Sequence, residues 1–203
     1  MAGFRYLELG VGPGVLIPRP ETEVVAQTAI DLLPQGGVVI DVGTGSGAIA
    51  LAIAHERPDA RVLATEVSDE ALEWARRNRD DLDLDVELFG CDLLNDVPRE
   101  LAGVVDVVVS NPPYIGADEL DGLPADVRDH EPDVALFAPG GGLGVIERLA
   151  DESRLWLRSG GHVVLEIAPA QAGAVAALLS RYEEVAIRPD LTGRERVAVA
   201  RHG

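Results

Sequence analysis

A chain of 203 residues that is 47% hydrophobic can bury one substantial core, is too short for two ordinary domains, and has no run of roughly 20 apolar residues to span a bilayer. Its formal charge of −18, from 35 acidic against 17 basic residues, repels phosphate backbones and disfavours nucleic acid as a substrate. The lone cysteine, Cys91, excludes an intramolecular disulfide. His55, His130, His162 and His202 lack metal-ligand spacing, so no metal is expected, and without a signal-peptide pattern the chain reads as one cytoplasmic domain.

Residues 1–35 read as a rim of hairpin and helix, with Pro20 and Glu21 suited to the first turn of a helix running to Leu33. The apolar run Val38-Val39-Ile40 then ends in Asp41 and a glycine cluster, and Ala48 to Glu56 has helical spacing, which makes a buried strand turning directly into a helix. A second such unit is Arg61 to Glu66, followed by Ser68 as N-cap of a helix reaching Asp80. Val86 to Phe89 gives a third strand. Val104 to Val109 gives a fourth, too apolar on both faces for a sheet edge.

Further on, the pattern predicts a helix over Leu143 to Arg158, a strand over His162 to Ile167 and a helix over Gln171 to Arg181. Glu184 to Arg188 and Arg196 to Ala200 read as an antiparallel hairpin closed by Pro189 to Gly193. Gly116 to Gly142, rich in Pro, Gly and Asp, reads as a long functional loop. The expected fold is α/β, a Rossmann-like seven-stranded sheet that is mostly parallel, with an antiparallel C-terminal hairpin.

Two motifs carry chemistry. Asp41-Val42-Gly43-Thr44-Gly45-Ser46-Gly47 sits at the carboxyl end of the first sheet strand, where open α/β sheets bind ligands and where glycines let backbone approach one closely. Glu66, at the end of the next strand, is placed to bond both hydroxyls of an adenosine ribose. Asp92 could accept from an adenine amino group, with Leu93 packed on the ring. The bland alternatives are a tight strand-helix turn, a dinucleotide site, and an Asp92 that merely caps a helix. Cys91 reads as a core residue beside Asp92.

The second motif, Asn111-Pro112-Pro113-Tyr114, follows the fourth strand. An amide or aromatic amino nitrogen is a poor nucleophile because its lone pair is delocalised, so catalysis must orient that lone pair and stabilise positive charge on nitrogen. Asn111 through its side-chain oxygen and Pro112 through its carbonyl can accept the two N–H bonds of one NH2 group. Consecutive prolines remove backbone donors and enforce extended geometry, and Tyr114 offers a flat face for stacking. The plainer reading is a strand-breaking Pro-Pro. Together the two motifs point to S-adenosyl-L-methionine as cofactor and to N-methylation.

At these residues the chain resembles the HemK-like protein-glutamine N5-methyltransferases that modify release factors. The resemblance runs from about Leu7 to the end. It includes Val15 to Glu23, Asp126 to Pro132 with Ala135-Leu136-Phe137, Leu165-Glu166-Ile167 with Gln171, and Asp190 to Arg196.

The resemblance implies that Gly43 to Gly47, Glu66, Asp92 and Leu93 hold the cofactor and that Asn111 to Tyr114 hold a glutamine side chain; Asp41 and Asn111 are also expected among the cofactor contacts. Arg19 to Glu23 would form part of the substrate-facing rim, with Arg19 and Glu23 as the substrate contacts, although Glu131-Pro132 and the pair Glu195 and Arg196 also suit ordinary loop and surface roles. Bacterial members carry an N-terminal helical domain that this chain is expected to lack. That departure leaves open its removal, a different mode of engaging the protein substrate, or another acceptor.

The runner-up function is therefore N-methylation of a small-molecule amide or amine. Adenine-N6 methylation of nucleic acid is opposed by charge, and a non-catalytic adaptor by the intact motif. Membrane association is not expected. Short relatives that work with a small partner protein make such a partner, or a homodimer, a further expectation.

Overall fold

In the computed structural model, which describes residues 1–116 and 132–203, the alternation of apolar strand and helix seen in the sequence closes into one sheet flanked by helices. A separate N-terminal hairpin pairs β1 (Ala2–Phe4) with β2 (Leu7–Leu9). The main strands are β3 (Val38–Val42), β4 (Arg61–Glu66), β5 (Glu87–Gly90), β6 (Val105–Ser110), β7 (Leu157–Glu166), β8 (Glu183–Pro189) and β9 (Glu195–Arg201). Their order is β5-β4-β3-β6-β7-β9-β8. The first five run parallel, and β9 is antiparallel to both neighbours. This is the expected mostly parallel seven-stranded sheet, with β6 at its centre.

The crossovers are α1 (Thr22–Leu32), leading into β3, then α2 (Ala48–Glu56), α3 (Asp69–Leu82), α4 (Asp133–Leu136), α5 (Gly144–Trp156) and α6 (Ala172–Leu178). Side chains of β6 alternate between two cores. Val107 and Val109 pack with Leu51, Ile53 and the hairpin residues Phe4 and Leu9 on one face. Val108 packs with Ile146, Leu149 and Trp156 of α5 on the other. Burial on both faces accounts for the continuous apolar runs of the central strands. No helix among the described residues is long and apolar enough to cross a membrane.

The expected helix through Arg158 ends at Trp156, and β7 begins at Leu157 rather than His162. The side chain of Arg158 is drawn out by Asp106, which accepts from its Nε at 2.5 Å. The N–H of Gly160 donates to the His202 carbonyl at 2.7 Å, so pairing extends ahead of His162. The last helix is likewise shorter than expected, with single 3₁₀ turns at Pro169–Gln171 and Leu179–Arg181. The β8–β9 hairpin is as expected, its turn held by Asp190, whose Oδ1 accepts from the N–H of Thr192 and of Arg194.

The N-terminal segment is pinned where it must pass the site. Asn78 of α3, which is buried, accepts from the Gly10 N–H at 2.7 Å and donates to the carbonyls of Gly10 at 2.9 Å and Ser46 at 2.8 Å. One side chain thus fastens the strand leaving β2 to the glycine turn after β3. Within the expected loop Gly116 to Gly142, α4 is seen, and Phe137 after it bridges to Ile115 just ahead of the loop. Asp126 to Glu131 of the resemblance, with His130, lie outside the described residues.

Candidate active site at the reversal of strand order

Strand order reverses between β3 and β6, which opens a crevice at their carboxyl ends. A cavity of about 410 Å3 occupies it, walled by Gly43 to Ser46, Glu66, Asp92, Leu93, Asn111, Pro112, Pro113 and Arg19. A smaller cavity of about 150 Å3 is lined by Tyr114 and Glu166 and shares Leu16, Arg19, Asn111, Pro112 and Ala135 with the larger one. Asn111 and Pro112 therefore stand at the junction of two chambers.

The glycine turn makes room on one side and packs on the other. Gly43 has φ +69°, and a Cβ built there would meet nothing within 4 Å, so it would project into open space at the cavity wall. Gly47, at φ +88°, does not line the cavity. It is the N-cap of α2, and its Cβ would come within 2.8 Å of Leu51 Cδ1. Asp41 also lies off the wall, fully buried beneath the turn, where its Oδ2 accepts from Thr44 Oγ1 at 2.6 Å and the Ala50 N–H at 3.1 Å. Burial pushes its pKa up to about 7.

Glu66 organises the turn from the next strand. Its Oε2 accepts from the Gly45 N–H at 2.8 Å, and its Oε1 from the N–H groups of Val67 and Ser68, each at 2.9 Å. Oε1 thus has both lone pairs engaged, while Oε2, with one bond, retains acceptor capacity on a residue that lines the cavity. Farther along the wall, Asp92 takes Arg148 in a two-pronged ion pair, Nη2 to Oδ2 at 2.8 Å and Nη1 to Oδ1 at 3.3 Å. Both side chains are about half exposed, 48% for Arg148 and 49% for Asp92, so the pair is weak and easily opened. Leu93 holds φ +50°, unusual for a residue with a Cβ, and is nearly buried on the cavity wall. Cys91 is buried but also lines the cavity, and burial raises its thiol pKa.

At the junction, Asn111 donates through Nδ2 to Thr22 Oγ1 at 3.2 Å, and Thr22 donates through its hydroxyl to Glu166 Oε2 at 2.6 Å. Gln171 holds the segment after the prolines. Its Nε2 donates to the Tyr114 carbonyl at 2.8 Å while its Oε1 accepts from the Ala168 N–H at 3.3 Å. Tyr114 lines the small cavity, and its pKa is raised by burial and then by the Glu166 carboxylate. Glu23 is the rim residue that does not join the site. It faces the N-terminal hairpin, where its Oε1 accepts from the Arg5 N–H at 3.0 Å.

Sequence reasoning placed Thr22 within the rim stretch Arg19 to Glu23 without giving it a role of its own, and did not assign Glu166, Gln171 or Arg148 to the site. A carboxylate ending the apolar run Val163-Val164-Leu165 beside the central strand was a usable signal for Glu166. Arg148 offered none.

Two buried carboxylates make stability depend on pH in an unusual direction. Burial raises Glu166 to about 7, as it does Asp41. A carboxyl whose pKa is higher in the folded chain than in the unfolded one binds more protons when folded, between the two values. Its contribution is therefore lost as pH rises through about 5 to 7. The thermal midpoint is expected to be higher at about pH 5.5 than at about pH 8, and Glu166→Gln and Asp41→Asn should each narrow that difference. Scanning calorimetry at the two pH values checks this, and a difference untouched by either substitution would show that other groups cause it.

The Methyltransferase small domain family matches residues 21–122. The chain is 46% identical over 207 aligned residues to a release factor glutamine methyltransferase of Streptomyces coelicolor, covering 98% of this chain and 73% of that one. It is 44% identical to the protein of that name from Mycolicibacterium smegmatis, covering 98% of this chain and 71% of the relative. A methyltransferase structure from Pyrococcus furiosus superposes with a TM-score of 0.72 at 23% identity, covering 97% of this chain and 89% of that one, which supports the fold. The open glycine cradle beside Glu66 fits S-adenosyl-L-methionine, the methyl donor of such enzymes. By identity and coverage, the chain belongs to the release factor glutamine methyltransferase family.

Proposed function

We propose that this chain transfers a methyl group from S-adenosyl-L-methionine to the side-chain amide nitrogen of a glutamine in a peptide chain release factor, in the cytoplasm. The observation that carries the reading is the placement of Asn111 and Pro112 where the large cavity meets the small one. At about 410 Å3 the large cavity lies within the roughly 300–1,000 Å3 range of cofactor-sized sites. The cavity of about 150 Å3 suits a side-chain amide.

In this reading Gly43 and Gly45 give the cofactor backbone-close passage, Glu66 accepts from its ribose hydroxyls, and Asp92 and Leu93 take the adenine. The cofactor supplies an electrophilic methyl group on a sulfonium. Arg19 helps to close the junction, its side chain lining both chambers. The Oδ1 of Asn111 and the Pro112 carbonyl accept the two N–H bonds of the substrate amide, and Tyr114 packs against its plane. Held by two acceptors, the nitrogen cannot rotate its lone pair away from the large cavity, and the positive charge growing on it faces two carbonyl dipoles.

The family names favour a protein acceptor over a small molecule. Radiolabelled methyl transfer to a purified release factor, compared with transfer to free glutamine and simple primary amides, tests that choice. The expected result is efficient labelling of the release factor and little of the small amides. Labelling of the small amides alone would overturn the protein acceptor.

A further inference from the structure

Three residues distant in sequence converge on the junction: Thr22 at the start of α1, Asn111 after β6 and Glu166 at the end of β7. Thr22 is 4% exposed and Glu166 2%, so bulk water competes little for the bond between them. The chain of donors runs one way, from Asn111 Nδ2 to Thr22 Oγ1 at 3.2 Å and from the Thr22 hydroxyl to Glu166 Oε2 at 2.6 Å.

An ionised carboxylate can only accept, so Thr22 must give its single proton to Glu166. The Thr22 oxygen is then left as an acceptor towards Asn111, which must turn its NH2 to it. The Oδ1 of Asn111 is thereby turned away from Thr22. Without that polarity the Thr22 hydroxyl could donate to Oδ1, and Asn111 would present its NH2 to a substrate NH2, donor against donor.

We propose that Thr22 and Glu166 are positioning residues that set the amide orientation of Asn111, with the Glu166 carboxylate fixing the direction of the whole relay. The inference rests on the reading above, in which the Asn111 oxygen grips the acceptor amide. It adds two residues to the machinery, neither of which touches the reacting atoms.

The relay carries a pH dependence set by what surrounds Glu166. Burial pushes it towards the neutral form, as do Glu21 ahead of α1 and Asp190 in the β8–β9 turn, while Thr22 and Arg196 of β9 favour the charged form. Tyr114 and Arg19 line the same small cavity. The balance falls at about 7. Below that, a protonated Glu166 can donate to Thr22, and the direction of the relay is no longer fixed. Activity should therefore be lost as pH falls through about 7.

The test compares Thr22→Val, Thr22→Ser and Glu166→Gln in the full chain with wild type. It measures kcat and cofactor affinity across pH and follows the Asn111 side-chain NH2 resonance by nitrogen-15 NMR without acceptor. Thr22→Val should lower kcat about tenfold, the scale of one lost hydrogen-bond partner, with cofactor Kd within a few-fold. Thr22→Ser, which restores the hydroxyl, should recover to within about threefold. Wild type should show an acid limb near pH 7 in kcat and in the resonance, and Glu166→Gln should flatten both.

A Thr22→Val enzyme with wild-type kcat, or an acid limb unchanged in Glu166→Gln, would overturn the relay. So would a Thr22→Ser variant as impaired as Thr22→Val, which would mark a merely structural role. A wild-type chain that methylates no glutamine while the resonance still titrates would overturn the acceptor reading and support the relay.

Discussion

Replacing Asn111 by alanine is expected to lower kcat by about a hundred- to a thousandfold while cofactor affinity stays within a few-fold, the scale seen when one preorganised polar partner is removed from a transition state. The separation follows from where its bonds go. The glycine turn is held by Glu66 through Gly45 and by Asp41 through Thr44 and Ala50, none of which involves Asn111. The Asn111 side chain is instead bonded to Thr22, at the mouth of the small cavity. Alanine removes one of two acceptors for the substrate N–H bonds and frees the nitrogen to turn. Single-turnover transfer and calorimetric titration with the cofactor check the two halves, and a large loss of cofactor binding would contradict the assignment of Asn111 to the acceptor.

Gly142→Ala should be nearly as damaging, although Gly142 touches neither chamber. Its φ is +81°, and a Cβ built on it would lie 2.0 Å from the Tyr114 carbonyl oxygen and 2.7 Å from Gln171 Nε2. The nearest obstacle is backbone, which cannot swing aside as a side-chain tip would. Breaking the Gln171 bond to that carbonyl, 2.8 Å in the native chain, would clear Nε2 but not the carbonyl oxygen, so relief requires the Tyr114 backbone and the turn at Gly142 to move apart. That shifts the segment that presents Pro112 and Tyr114, and displacement of about 1 Å at a reacting centre can cost about a hundredfold. The expected outcome is a kcat loss of that order, with cofactor Kd little changed. Wild-type turnover would show that the segment after the prolines need not be rigid.

Much of the scaffold was legible because it rests on local pattern. The apolar runs of β3, β4 and β6 and the Ser68 cap of α3 need no tertiary information to be read, and each is observed close to its expected bounds. Where the reading strayed, a distant partner decided. Arg158 leaves the helix for Asp106, 52 residues away. The links of Thr22 to Asn111 and to Glu166 span 89 and 144 residues, so a threonine and a glutamate that lie in separate motifs of the sequence are brought into contact only by folding.

Glycine spacing had a different limit. It cannot distinguish Gly43, whose missing side chain leaves open space, from Gly47, whose missing side chain admits Leu51. Asp41 was grouped with the cofactor contacts for the same reason, and the fold places it underneath them. Leu93 was read as packing on a ring face, and the sequence carried no sign of its positive φ.

The most direct measurement is peptide mass spectrometry of a cognate release factor incubated with this protein and S-adenosyl-L-methionine, with the Asn111→Ala variant in parallel. One added methyl group located on a glutamine side chain, present with wild type and strongly reduced with the variant, is the expected result. A release factor left unmodified under saturating cofactor, with cofactor binding confirmed separately, would contradict the assignment of the acceptor and leave the methyltransferase fold in place.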